Sequence, residues 1–206
     1  MRVVPLLILL SLLSGCATQQ LNAYKKQLEQ PVSFWKEKVE VVDNPMETHV
    51  TYSTEPAITD MKNVFTGESI DAFVRGWKDK QTSFGTLQGY IYISMINGSW
   101  PRPFQINYGK PLQTAKSKEI GTDVDCSGSS TWGGCRYTYH LTFPIPMSEV
   151  QRLMDLNLTP EQMTQDIWKF RLKFQAYNDF DHGLPVQELF SIYEVMTEDG
   201  AFITGD

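Results

Sequence analysis

The sequence predicts a mainly β fold, an antiparallel β-sandwich or a curled sheet with a few short helices, with an α+β arrangement as the alternative. Three observations lead there. Segments 136–143 and 167–175 alternate apolar and polar residues with a period of two, the signature of strands with one buried and one wet face. Runs rich in β-branched and aromatic residues, such as 87–96, lie between turn-forming residues. Helical spacing is confined to short stretches, most of them after residue 147. The chain has 206 residues, 41% hydrophobic and 20% charged, enough apolar material for one folded domain and too much for a disordered chain.

Taken in order, Arg2 gives a short positive flank. Val3 to Leu13 follows as an apolar run, shorter than the roughly 20 residues a bilayer span needs, which is the pattern of a secretory signal. Residues 17–36 read as a polar tether. Leu21, Tyr24 and Leu28 would make a narrow apolar stripe on a helix there, and Pro31 should end such a helix. From about residue 37 the signals are those of strands. Lys38 to Val41 alternates, and His49 to Tyr52 is β-rich between Pro45 and Pro56. Ile70 to Lys78 carries Phe73 and Trp77, and 79–85 has turn composition. Leu87 to Ile96 is a further strand, closed by the Asn97-Gly98 turn. Phe104 to Tyr108 is another, turned by Gly109, Lys110 and Pro111.

In the two cleanest strands the faces can be assigned. Tyr137, Tyr139, Leu141 and Phe143 share one side, and Arg136, Thr138, His140 and Thr142 the other. Likewise Trp168, Phe170, Leu172 and Phe174 oppose Lys169, Arg171, Lys173 and Gln175. Ser148 with Gln151 fits a capping box opening a helix to about Asn157, and Thr159-Pro160 starts a second. A third begins at Pro185, lines Leu189, Phe190, Tyr193 and Met196 on one face, and ends at Gly200.

Leu13-Ser14-Gly15-Cys16, at the end of the apolar run, resembles the lipobox of bacterial lipoproteins. The resemblance implies that the Cys16 thiol receives a diacylglyceryl group, that the chain is cut before Cys16, and that the new amine takes a further acyl chain such as palmitate. Each buried methylene contributes about 0.8 kcal/mol, so two or three chains make a stable membrane anchor. Ala17, where the family often has an inner-membrane-retaining aspartate, implies the outer membrane. The expected organisation is a signal peptide over 1–15, a lipidated N-terminus and tether over 16–36, and a single mainly β domain over 37–206. That domain would sit in the periplasm or at the cell surface.

Cys126 and Cys135 then remain as an even pair in an exported chain, the expectation being a disulfide worth about 3 kcal/mol or less. Asp125-Cys126-Ser127-Gly128 also resembles the nucleophile motif of papain-like murein peptidases, which would make Cys126 the nucleophile and His182 its base. Here the likeness stops. Residues 129–134 have loop composition where that family has an apolar helix, and Leu184-Pro185 breaks the strand that should follow the histidine.

No catalytic, cofactor or metal site is assigned from the sequence. His49, His140 and His182 stand apart, and the Asp-rich run 178–183 reads as a turn held by local hydrogen bonds. A formal charge of −6 without a basic cluster excludes sequence-independent nucleic-acid binding; Lys25-Lys26 and the set Lys116, Lys118 are diluted pairs. Arg136 and His140 make a small cationic patch on a face expected to be solvated. Trp100, Arg102 and Phe104 have interface composition in a loop expected to cover a sheet end. The favoured reading is a non-enzymatic binding or accessory module, anchored by lipid, with an envelope protein as its possible partner. The cysteine peptidase and a passive structural role are the alternatives.

Overall fold

Alternation of side chains along the strands builds two sheets whose apolar faces meet. The computed structural model describes residues 26, 28–57, 69–96, 103–126, 135–164, 166–175 and 178–203. A short helix α1 (Val32–Glu37) precedes strands β1 (Glu40–Val42), β2 (His49–Ser53), β3 (Ser69–Asp79) and β4 (Phe84–Ile96). Then come β5 (Pro103–Tyr108), β6 (Gln113–Lys116), β7 (Lys118–Asp125) and β8 (Arg136–Ile145). Helices α2 (Met147–Asp155) and α3 (Pro160–Met163) follow, then β9 (Ile167–Phe174), β10 (Phe180–Pro185), helix α4 (Val186–Glu198) and the two-residue β11 (Phe202–Ile203).

The larger sheet runs β1-β2-β3-β4-β8-β7, antiparallel throughout, with β11 adding parallel to β4; the smaller runs β10-β9-β5-β6, also antiparallel. The fold is therefore mainly β and sandwich-like. Its core forms where β8 faces β9. The Phe143 ring lies 6.0 Å from Trp168 and 5.2 Å from Phe170, centroid to centroid. Ile91, Leu141, Leu172 and Leu184 fill the space around them, all essentially buried. Each such side chain contributes about 1.5–3 kcal/mol by leaving water. Gly89, opposite Phe143 in the ladder, makes room for that ring: a Cβ there would stand 2.2 Å from Phe143 Cζ. Helix α4 joins the same core through Val186, Leu189, Ile192 and Met196.

The two strictly alternating segments behave as read. Burial along β9 switches residue by residue, with Trp168, Phe170, Leu172 and Phe174 inside. Other expectations need correction. The outer face of the larger sheet is not simply wet: Phe73 and Tyr90 are buried there with Trp35 and Ala57 in a second apolar cluster. Trp35 also shows that the packed body begins before residue 37. Helical residues 26 and 28 give way to a turn just ahead of Pro31, which is also the N-cap position of α1. The Ser148 capping box is absent, because the N-cap of α2 falls two residues earlier, at Pro146, and has no side-chain cap. The box at Thr159 does form, with Gln162 as its reciprocal partner. Gly200 takes a φ of 77°, which ends α4 as a left-handed residue.

Candidate functional site

The period-two alternation that buries Phe170 in β9 turns Ile167, Lys169 and Arg171 outward on the smaller sheet. The ladder sets Gly183 of β10 beside Lys169, and Asp181 beside Arg171, while Asn107 of β5 flanks Arg171 from the other side. Together with the turn after β5, these residues line a cleft of about 1060 Å³. Its floor is partly apolar. Ile167 leans over the bare backbone of Gly183, where a Cβ would come within 2.2 Å of Ile167 Cγ2. Leu112, 72% exposed, adds an apolar rim beyond Gly109, which needs its φ of 73° to make the turn.

The polar groups of the cleft are fixed differently. Arg171 grips Asp181 in a two-pronged contact, Nε to Oδ1 at 2.5 Å and Nη2 to Oδ2 at 2.8 Å. This hydrogen bonding holds the Asp181 carboxyl below its usual range and the guanidinium above its own. Lys169 has no ion-pair partner among the described residues. His182 lies between these outward residues and turns toward the core, edge-on to Phe170 at 5.7 Å. Burial lowers its pKa, so the ring is neutral. Comparison with protein-family models, curated proteins and solved structures finds no match for this chain.

A second polar constellation covers the outer face of the larger sheet. Arg75 lies 4.0 Å above the Tyr90 ring and donates from Nη2 to Glu55 Oε2 at 3.3 Å. Tyr92 donates to Glu55 Oε1 at 2.5 Å. The Tyr90 hydroxyl is 3.0 Å from His140 Nδ1, and His140 Nε2 is 3.1 Å from Asp123 Oδ2. Burial raises the pKa of both phenols, which stay protonated. Cation, phenol, imidazole and carboxylate satisfy one another, so this ladder is closed on itself and bonds strands β3, β4, β7 and β8 sideways.

The structure separates the residues singled out from the sequence. The Sγ atoms of Cys126 and Cys135 stand at disulfide distance, 1.98 Å. Cys126 follows β7 of the larger sheet, whereas His182 belongs to β10 of the smaller one. His140 and Arg136 share β8, and His140 is engaged by Tyr90 and Asp123. The Asp-rich run is largely strand: Asp181 pairs with Arg171, and Asp179 with Lys173. Phe104 is exposed at the start of β5. Cys16 and its lipobox, Trp100 and Arg102 lie outside the described residues. Among the described residues no group of three or more His, Cys, Asp or Glu is placed to hold a metal, and no helix is long and apolar enough to cross a membrane.

The cleft was missed in the sequence because β10 reads as a turn. Asp181 and Gly183 are turn formers by composition, and only pairing with β9 makes them part of a strand. One signal was visible: Lys169, Arg171 and Lys173 at every second position mark a cationic sheet face.

Proposed function

We propose that this chain is a bacterial envelope lipoprotein, anchored by acyl chains on Cys16, most fittingly in the outer membrane, whose sandwich acts as a non-enzymatic binding module through the cleft on its smaller sheet. The observation carrying this reading is the cleft itself. A concavity of about 1060 Å³ with an apolar rim, a lysine without an ion pair among the described residues and a fixed Arg–Asp fork has the make-up of a ligand site. The cysteine and histidine that the papain-like likeness singles out are otherwise engaged. Cys126 bonded to Cys135 has no thiolate to offer, and the imidazole of His182 is turned to the core.

The test is site-specific photo-crosslinking in cells making the full chain. A benzophenone residue in place of Leu112 should give a discrete adduct with an envelope component. The same probe in place of Met46, exposed in the loop between β1 and β2, should not. Identical adducts at both positions, or none at Leu112, would overturn the binding-face reading. The anchor is tested separately: Cys16→Ser should leave an unacylated chain that no longer partitions into detergent, and wild-type partitioning by that variant would sink the lipidation.

A further inference from the structure

The outer face of the smaller sheet is basic on a chain whose formal charge is −6. Along β9, Lys169, Arg171 and Lys173 project at every second residue, about 6.8 Å apart. On β6, Ala115 packs toward the core, which turns the next residue, Lys116, to the same outer face; its ladder partner is Gln105 of β5, itself beside Lys173. Two of these four cations are answered, Arg171 by Asp181 and Lys173 by Asp179. Lys116 and Lys169 form no ion pair among the described residues.

We infer that this face takes an extended acidic peptide, whose carboxylates meet Lys169 and Lys116 while an apolar side chain settles against Ile167 and Leu112. The assignment rests on the cleft being the binding face. Charge complementarity selects the sign of the ligand. A basic stripe on an acidic molecule attracts anions locally and repels them elsewhere, which orients an acidic partner before contact. The apolar rim selects its character. A small inorganic anion would leave Leu112 and Ile167 uncovered, whereas an extended peptide that carries acidic and apolar residues two positions apart, and so on one face, covers both kinds of group. Four residues of β9 separate Lys169 from Lys173, and two strand spacings separate Lys173 from Lys116. The diagonal is roughly 17 Å, the span of about five extended residues. Among the described residues of this face only Lys116 and Lys169 are without an ion pair, which is too few for the multiple phosphate contacts that hold a nucleic acid.

The experiment measures fluorescence anisotropy of a labelled octapeptide, Glu-Glu-Val-Val repeated twice so that each face of the extended chain carries both side chains, titrated with the full mature chain in neutral detergent. Binding should weaken as salt rises. The glutamine–valine counterpart should bind at least about tenfold more weakly, and the Lys116→Glu/Lys169→Glu variant should lose affinity for the acidic peptide by a similar factor. Lys80→Glu, in the turn between β3 and β4, should bind as the wild type does. Circular dichroism melting of the charge-reversal variant at the wild-type temperature keeps a loss of binding distinct from a loss of fold. Equal binding of the glutamine peptide, unchanged affinity in the double variant, or complete displacement of the peptide by an equal charge of inorganic phosphate would each overturn the acidic-peptide assignment. If the acidic peptide fails while Leu112 still crosslinks in cells, the ligand class falls and the binding face stands. If the crosslink is absent too, both fall.

Discussion

Glu188→Gln should make the protein more stable at neutral and alkaline pH. Glu188 is fully buried in α4. Its Oε1 accepts from the Val74 amide at 3.0 Å and from the Thr54 hydroxyl, while Oε2 has no partner. Burial outweighs these two hydrogen bonds and lifts its pKa from 4.5 to about 8. Between those values the folded protein keeps the proton and the unfolded chain has lost it, so stability falls as pH rises and levels off above about 8. At about 1.4 kcal/mol per unit, the whole window corresponds to about 5 kcal/mol, of which about 3 kcal/mol has accrued by neutral pH. Glutamine keeps the acceptor toward Val74 and Thr54, matches the shape of the neutral acid and cannot ionise. Wild type and variant should therefore have similar urea midpoints near pH 5 and diverge steadily to pH 8, the variant gaining. Parallel midpoints across that range would mean that Glu188 is not held protonated by its surroundings, and the argument would fail.

Three further outcomes follow from the same physics. Gly183→Ala places a Cβ where Ile167 Cγ2 now lies, and should lower stability by about 1–3 kcal/mol while pushing Ile167 into the cleft; a melting temperature equal to wild type would show that the floor is slack. His182 is half-buried with a pKa lowered by desolvation, so it stays uncharged when folded and protonates when unfolded, and stability should drop as pH falls through the usual imidazole range. His182→Gln should remove that part of the acid sensitivity, and an unchanged acid slope would refute the assignment. The Cys126→Ser/Cys135→Ser variant should lose about 3 kcal/mol or less, the loop entropy of a nine-residue separation, in denaturant titrations; quantitative alkylation of both thiols in the unreduced wild type would show that no bond exists.

Much of the sandwich is written in local pattern. The β8 and β9 alternations, the β3–β4 pairing and the C-terminal helix up to Gly200 could be read because each residue's neighbours along the chain state its environment. β6, β7 and β10 could not. Gln113–Lys116 and Lys118–Asp125 are almost wholly exposed, so no apolar alternation marks them, and only hydrogen bonding to a partner strand makes them part of a sheet. Asp179 to Gly183 carries the composition of a turn for the same reason. The cleft depends on β10, so its position was hidden with it, although its lysines and arginine were already assigned to an outer face. Glu188 was invisible because a carboxylate in an amphipathic helix normally faces water, and its burial is decided by Thr54 and Val74, more than a hundred residues away.

The docking of α1 fixes where the packed body begins along the chain. Trp35 is sealed between the sheet and its cover, Lys36 is bonded to Glu198 at 2.5 Å, and Gln187 holds the carbonyl of Leu28 at 2.9 Å, so the stretch from Leu28 onward is stitched to α4. Cys16 precedes Leu28 by about a dozen residues, so under the acylation proposed above the folded mass lies no more than roughly 40 Å from the lipid. Under that proposal, a partner taken up by the cleft would be drawn to within the same distance of the lipid surface.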